Sequence, residues 1–274
     1  MTATTKTCVT CGHTQNYDSS ESYCAKCGQI QPTGRFSIGH IFRDALTVFL
    51  NLERGLIPST KYLIINPGKL VRGYWRGRTR SYTNPLRFLF VAVTLSTLAT
   101  IGTGVYDMQM EQMKEMNTNM FNTQAREGMT EEEVAEQAKI QETTQKYIRK
   151  YLNLFSLIMT PFAAAALWIL LKDTEVYYGE HIISACYYIG ITSAMGIPLT
   201  FLALAGAINP YENTAISMGI NVLYGMFMLK SVYKIPWWRA ILTTPVLLLL
   251  TALLMTITFL LIGFLVALVG KLWM

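Results

Sequence analysis

The sequence predicts an all-α integral membrane bundle of about five transmembrane helices with a small N-terminal zinc ribbon. Three observations carry this expectation. Of 274 residues, 51% are hydrophobic and 15% charged, a balance outside the soluble globular range. Long apolar runs succeed one another from Leu86 onward. Ahead of them stand two Cys-x-x-Cys-Gly knuckles, Cys8 to Gly12 and Cys24 to Gly28. The expected organisation is a cytoplasmic ribbon over 1–34, an amphipathic and basic juxtamembrane collar over 35–85, and a bundle over 86–274 with an extracytoplasmic helical hairpin at 106–150.

Each knuckle puts two thiolates on one tight turn, and two facing turns complete a tetrahedral sulfur site. Cys8, Cys11, Cys24 and Cys27 are therefore the expected ligands of Zn2+. Disulfides are disfavoured in a reducing cytoplasm, and four cysteines leave no open position for catalysis. His13, beside the second ligand, reads as an exposed bystander. A segment this small cannot hold itself together by apolar burial, so metal binding and folding are expected to be one event. The N-terminus MTATTKTCVT lacks an apolar core, and no cleavable signal peptide is expected.

Residues 35–56 place Ile38, Ile41, Phe42, Ala45, Leu46, Phe49 and Leu52 near helical spacing, too short and polar to span. They read as a helix lying in the interface, with His40 and Asp44 four apart as a surface pair. From Lys61 to Arg87 come seven bases and no acid, and no acid occurs between Glu53 and Asp107. Such a segment before a first span orients the N-terminus toward the cytoplasm. Tyr74, Trp75 and Tyr82 are interleaved with the bases, as suits headgroup level. Arg72, Arg76, Arg78 and Arg80 are the expected headgroup ligands. The net charge of +6 concentrates here, which favours anionic membrane lipids over nucleic acid as partner.

The expected spans are 86–105, 152–171 with a kink at Thr160-Pro161, 182–207, 215–229, and a single tilted or Pro245-kinked helix over 240–270. Between the first two lies a polar excursion with nine acids against six bases. In it Tyr106, Met110, Met113, Asn117 and Met120 form a helical packing seam, and Thr130 with Glu131 to Glu133 starts a second helix running unbroken into span two. Methionines at 108, 110, 113, 116, 120 and 129 could also offer thioethers to Cu(I), although methionine is first a gap filler. Span three carries Ser184, Tyr188 and Thr192, and Asn221 at the middle of span four is expected to face another helix.

Several of these residues form a pattern. Pro67-Gly68-x3-Arg72-x-Tyr74-x2-Gly77, then Arg80-x-Tyr82-x2-Pro85-Leu86, downstream of Cys27-Gly28-Gln29, resembles an uncharacterised bacterial family of unknown function with a zinc-ribbon-like N-terminus and a multi-span region. Tyr178-Gly179-Glu180-His181 and Leu229-Lys230-Ser231-Val232-Tyr233 look like two further elements of that family. The resemblance implies no activity. The plan is also similar, in architecture alone, to Yip-type five-span proteins.

These features favour a non-enzymatic scaffold or assembly protein of the bacterial inner membrane. It would bind lipid headgroups through the collar and either form a homo-oligomer or meet a protein partner at the ribbon. The alternative is a transporter or channel with a polar pathway through Glu180, His181, Ser184, Tyr188 and Asn221. An intramembrane enzyme using Glu180 and His181 as acid and base is a third reading, but no nucleophile is spaced to join them.

Overall fold

The structure, a computed structural model, describes residues 4–17, 23–29, 55–111 and 131–272. The expected helix at 35–56 with its His40–Asp44 pair falls almost wholly outside the described residues, as do Met113, Met116, Met120 and Met129.

The ribbon opens with β1 (Thr4–Thr7) and β2 (Thr14–Tyr17), antiparallel with Thr4 opposite Tyr17 and Thr7 opposite Thr14. The first cysteine knuckle is the turn between them. All other regular elements among the described residues are helical.

Three Asn-Pro dipeptides each start a helix. Asn66 closes α1 (Leu56–Ile65) by donating its N–H to the Tyr62 carbonyl at 2.7 Å. It also caps α2 (Pro67–Trp75), where its side chain accepts from the Lys69 N–H at 3.0 Å. Asn84 caps α3 (Pro85–Gly102) by accepting from Leu86 N–H at 3.0 Å. Asn209 and Glu212 form a reciprocal box at the start of α6 (Pro210–Tyr233), each side chain accepting the other's N–H at 2.8 Å. The logic is common to all three. Asparagine fills an orphan donor of the first turn, and proline occupies a position whose N–H would have no helical partner.

The remaining helices are α4 (Glu131–Leu170), α5 (Tyr178–Leu204) and α7 (Trp237–Leu272). α3 runs along α5, α4 lies against α5 and α7, and α6 packs on both α5 and α7. Helices α3, α5, α6 and α7 are long and apolar enough to cross a membrane. The apolar end of α4, Leu154–Leu170, is about 25 Å long against a hydrocarbon core of about 30 Å. The chain therefore has the build of a multi-pass membrane protein.

Three boundaries differ from expectation. The second excursion helix does not run unbroken into span two, because Tyr151 leaves helical geometry at φ −112°, ψ 16°. Helix α5 begins four residues earlier than the expected span, so Glu180 and His181 belong to its first turn. Helix α6 begins at Pro210 rather than Ala215, because its cap outweighs the polarity of Tyr211 to Asn213.

A large buried cluster sits where the collar meets the bundle. It joins Leu63 of α1, Leu70, Val71 and Tyr74 of α2, Tyr82, Phe88 of α3, Ile183, Tyr187 and Ile191 of α5, and Tyr224, Met228 and Val232 of α6. Burying aromatic and branched residues from five helices at one junction fixes the collar to the spans. Tyr187 reinforces it by donating to the Thr83 carbonyl at 2.5 Å, and Tyr224 by donating to the Leu63 carbonyl at 2.9 Å.

Candidate metal centre and its docking collar

The two knuckles repeat one backbone design. Gly12 N–H donates to Cys8 carbonyl at 2.9 Å and Gly28 N–H to Cys24 carbonyl at 2.7 Å. Cys8 N–H reaches the His13 carbonyl at 2.9 Å and Cys24 N–H the Gln29 carbonyl at 2.8 Å. Both glycines sit at positive φ, +71° and +65°, where a side chain would strain the backbone.

The four sulfurs lie within 4.8 Å of one another, with Cys8–Cys27 at 3.6 Å and Cys11–Cys24 at 3.7 Å. A tetrahedron with metal–sulfur bonds of about 2.3 Å has edges of about 3.8 Å, so the set fits a four-thiolate metal ion. Electrostatics point the same way. Burial raises the Cys24 thiol, but the N–H groups of Cys27 and Lys26 and the neighbouring sulfurs outweigh it and bring it to about 7. Burial and the neighbouring sulfurs push Cys27 up to about 12. Four thiolates this close repel one another, and a cation among them would relieve that repulsion. The thiols of all four are free of disulfides.

The residue after each glycine breaks the symmetry. Gln29 is 1% exposed, and all four hydrogen-bonding positions of its amide are filled. Its nitrogen donates to the Gly77 carbonyl at 2.7 Å and to Thr79 Oγ1 at 3.0 Å. Its oxygen accepts from Arg80 N–H at 2.8 Å and Thr10 Oγ1 at 3.1 Å. Gln29 is thus a peg joining both knuckles to the loop after α2. The resemblance to an uncharacterised family includes Gln29 in its Cys27-Gly28-Gln29 element, but nothing in the spacing says what the side chain binds.

Across the collar, α2 clamps the end of α6. A Cβ on Gly68 would overlap the Ser231 carbonyl, and Gly68 N–H donates to Ser231 Oγ at 3.0 Å. Arg72, one turn on, donates to the carbonyls of Ser231 and Val232, the latter at 2.9 Å. These are last-turn carbonyls of a helix, the negative end of its dipole, and a guanidinium there satisfies and neutralises them. Burial, and secondly the charge of Arg76, lower the Arg72 pKa from its ordinary value. Beside this clamp Trp75 Nε1 donates to the Glu180 carbonyl at 3.1 Å and its ring lies 5.8 Å from that of Tyr233. His181 Nδ1 meets the Tyr233 hydroxyl at 2.8 Å with the rings stacked. Three segments far apart in the chain, 67–75, 178–181 and 229–233, therefore form one knot.

The expected sites divide accordingly. Arg72 is turned into the protein, where its guanidinium serves the Ser231 and Val232 carbonyls. Arg80 lies over the ribbon, its guanidinium carbon 3.4 Å from where a Cβ on Gly28 would stand. Arg76, Arg78 and Arg80 are all exposed.

The polar groups of the expected pathway are hydrogen-bonded within the protein. The Glu180 carboxylate accepts from the Tyr177 N–H at 2.9 Å and caps α5. His181 is held by Tyr233. Ser184 donates to the Glu180 carbonyl at 3.1 Å, Tyr188 to the Asn221 carbonyl at 2.9 Å, and Thr192 to the Tyr188 carbonyl at 3.0 Å. The Asn221 amide donates within its own helix, to the Ser217 carbonyl at 2.8 Å, so it is the backbone of Asn221 rather than its side chain that meets another helix. Ser184 and Tyr188 do share a cavity between α4, α5, α6 and α7, but it measures about 70 Å³ and is otherwise lined largely by Met159, Leu167, Met228 and Leu247.

Comparison with known proteins adds one finding. A family profile described as Protein of unknown function (DUF3667) matches residues 53–97, which comprise α1, α2, the Gln29-binding loop and most of α3. No curated protein and no solved structure matched the chain.

Proposed function

We propose that the protein is a non-enzymatic scaffold or assembly factor of a bacterial inner membrane, with its ribbon in the cytoplasm. Cys8, Cys11, Cys24 and Cys27 hold a structural zinc ion, and the ribbon is presented to a protein partner or to a second copy of the chain. The observation that carries this reading is the Gln29 peg. A closed metal site has no coordination position left for chemistry, and a ribbon pegged to the collar is a fixed display surface rather than a tethered one. The cytoplasmic placement rests on the acid-free basic run of the collar.

Arg76 and Arg78 bind anionic headgroups. Each basic residue near an anionic surface contributes about 1 kcal/mol, so Arg76→Gln with Arg78→Gln together lower affinity about thirtyfold. Native mass spectrometry of phosphatidylglycerol retained by the purified protein measures this, and unchanged retention would end the headgroup assignment. Transport is disfavoured because the hydroxyls and amide of α5 and α6 are occupied by carbonyls. Changing Ser184 to Ala and Thr192 to Val leaves a scaffold folded and assembled. A loss of solute flux from reconstituted vesicles on these two changes would favour transport instead.

A further inference from the structure

Helix α1 presents one side to the buried cluster, and among the described residues nothing packs over the other. Ile57, Ile64 and Ile65 are 83%, 51% and 65% exposed, at the i, i+7, i+8 spacing of one helical face. Only Thr60 and Lys61 interrupt that face, and Lys61 is long enough to lay its stem along apolar surface while its ammonium reaches water. Three isoleucines left in water on a ten-residue helix are hard to reconcile with the close packing on the opposite side.

Two independent contacts fix how deep α1 lies. Leu63 accepts from Tyr224, nine residues inside the α6 terminus at Tyr233, or about 13 Å of helix. Ser59 Oγ accepts from Thr83 N–H at 2.9 Å, and Thr83 in turn accepts from Tyr187, nine residues inside the α5 start at Tyr178. Helices α5 and α6 are about 40 Å and 36 Å long, so they overshoot a hydrocarbon core of about 30 Å. Helix α3, at about 27 Å, does not, and it begins at Pro85, two residues from Thr83. Helix α1 therefore lies beside the start of the shortest of the four apolar helices long enough to span.

We infer that α1 is an interfacial anchor whose Ile57, Ile64 and Ile65 insert among the acyl chains of the leaflet on the ribbon side, with Lys61 at the headgroups. At about 15 Å it is too short to span and the right length to lie at the boundary. Its charge fits: α1 through α3 carry no acid, and exposed Lys69 and Arg76 come next, on α2 and its C-terminal cap. The inference rests on the membrane reading of the bundle, and it is separate from the binding of headgroups by Arg76 and Arg78.

The test uses the full chain in vesicles of phosphatidylethanolamine and phosphatidylglycerol, with p-benzoylphenylalanine replacing Ile57, Ile64 or Ile65 in turn, and Tyr23 of the ribbon as control. After irradiation, mass spectrometry should find phospholipid joined to residues 57, 64 and 65 and none at 23. Cross-links to a second copy or to another protein, or an unreacted ketone at all three positions, would overturn the anchor. Repeating the Ile64 experiment with Arg76→Gln and Arg78→Gln separates the two readings. Lipid adducts that persist while phosphatidylglycerol retention falls support the anchor independently of the charges. Adducts that vanish together with retention would reduce α1 to a passenger of the basic collar and overturn its insertion as an anchor in its own right.

Discussion

The two cysteine knuckles have the same turn, the same positive-φ glycine and the same pair of backbone hydrogen bonds, yet they differ in the residue after the glycine. His13 contributes its carbonyl to the turn and is half-buried. Gln29 contributes its carbonyl in the same way and then commits its whole side chain, mainly to the loop at Gly77 to Arg80. Metal binding needs the shared part, and attachment to the membrane region needs the unshared part. The two parts are therefore predicted to be separable by mutation.

The largest effect should come from breaking the part the knuckles share. Cys24→Ser removes a ligand, and structural zinc sites carry about 10–16 kcal/mol of apparent binding energy on which folding depends. Metal content by atomic emission should fall to near zero, and both knuckles should lose protection from amide hydrogen exchange. A strong chelator applied to the unmodified protein should give the same exchange pattern.

Breaking only the unshared part is the next largest. Gln29→Ala leaves the Arg80 N–H without its partner and removes one of two donors to the buried Gly77 carbonyl, which keeps the Thr79 N–H at 2.9 Å, at a cost of about 1–3 kcal/mol. Exchange should rise at 76–80 while metal content stays at the unmodified level; loss of metal would show that docking and metal binding are one event after all. Smaller again, Gly12→Ala and Gly28→Ala each force an alanine into left-handed backbone at about 1–2 kcal/mol. Chelator competition should show both weakened alike, and an excess at Gly28 would measure the crowding by Arg80. His13→Ala should change stability by no more than about 0.5 kcal/mol, read from the same competition.

The features that could be read from the sequence are those that one local spacing encodes. The cysteine knuckles and the apolar runs each carry their signal within a few residues. The site's connections were not readable, because they join residues whose separation has no period. Arg72 and Arg76 look alike in a basic run. One caps α6 and the other faces out, and only the position of Ser231 decides which. Asn221 reads as an intramembrane amide in need of another helix, but a side chain that can reach a carbonyl four residues back satisfies itself. The early start of α6 was legible in Asn209-Pro210 and Glu212, but the polarity of Tyr211 to Asn213 masked it.

The clamp on α6 sets an order of assembly. Arg72 and its two carbonyls are 159 and 160 residues apart in the chain, and Leu63 and Tyr224 are 161 apart. At about 5–20 residues per second of synthesis, α1 and α2 wait roughly 8–30 s for the helix they close upon. The first part of the membrane region to leave the ribosome is therefore among the last to reach its final place, and its guanidinium meets those carbonyls only in a chain whose α6 is complete. A chain stopped short of residue 231 carries an unsealed collar.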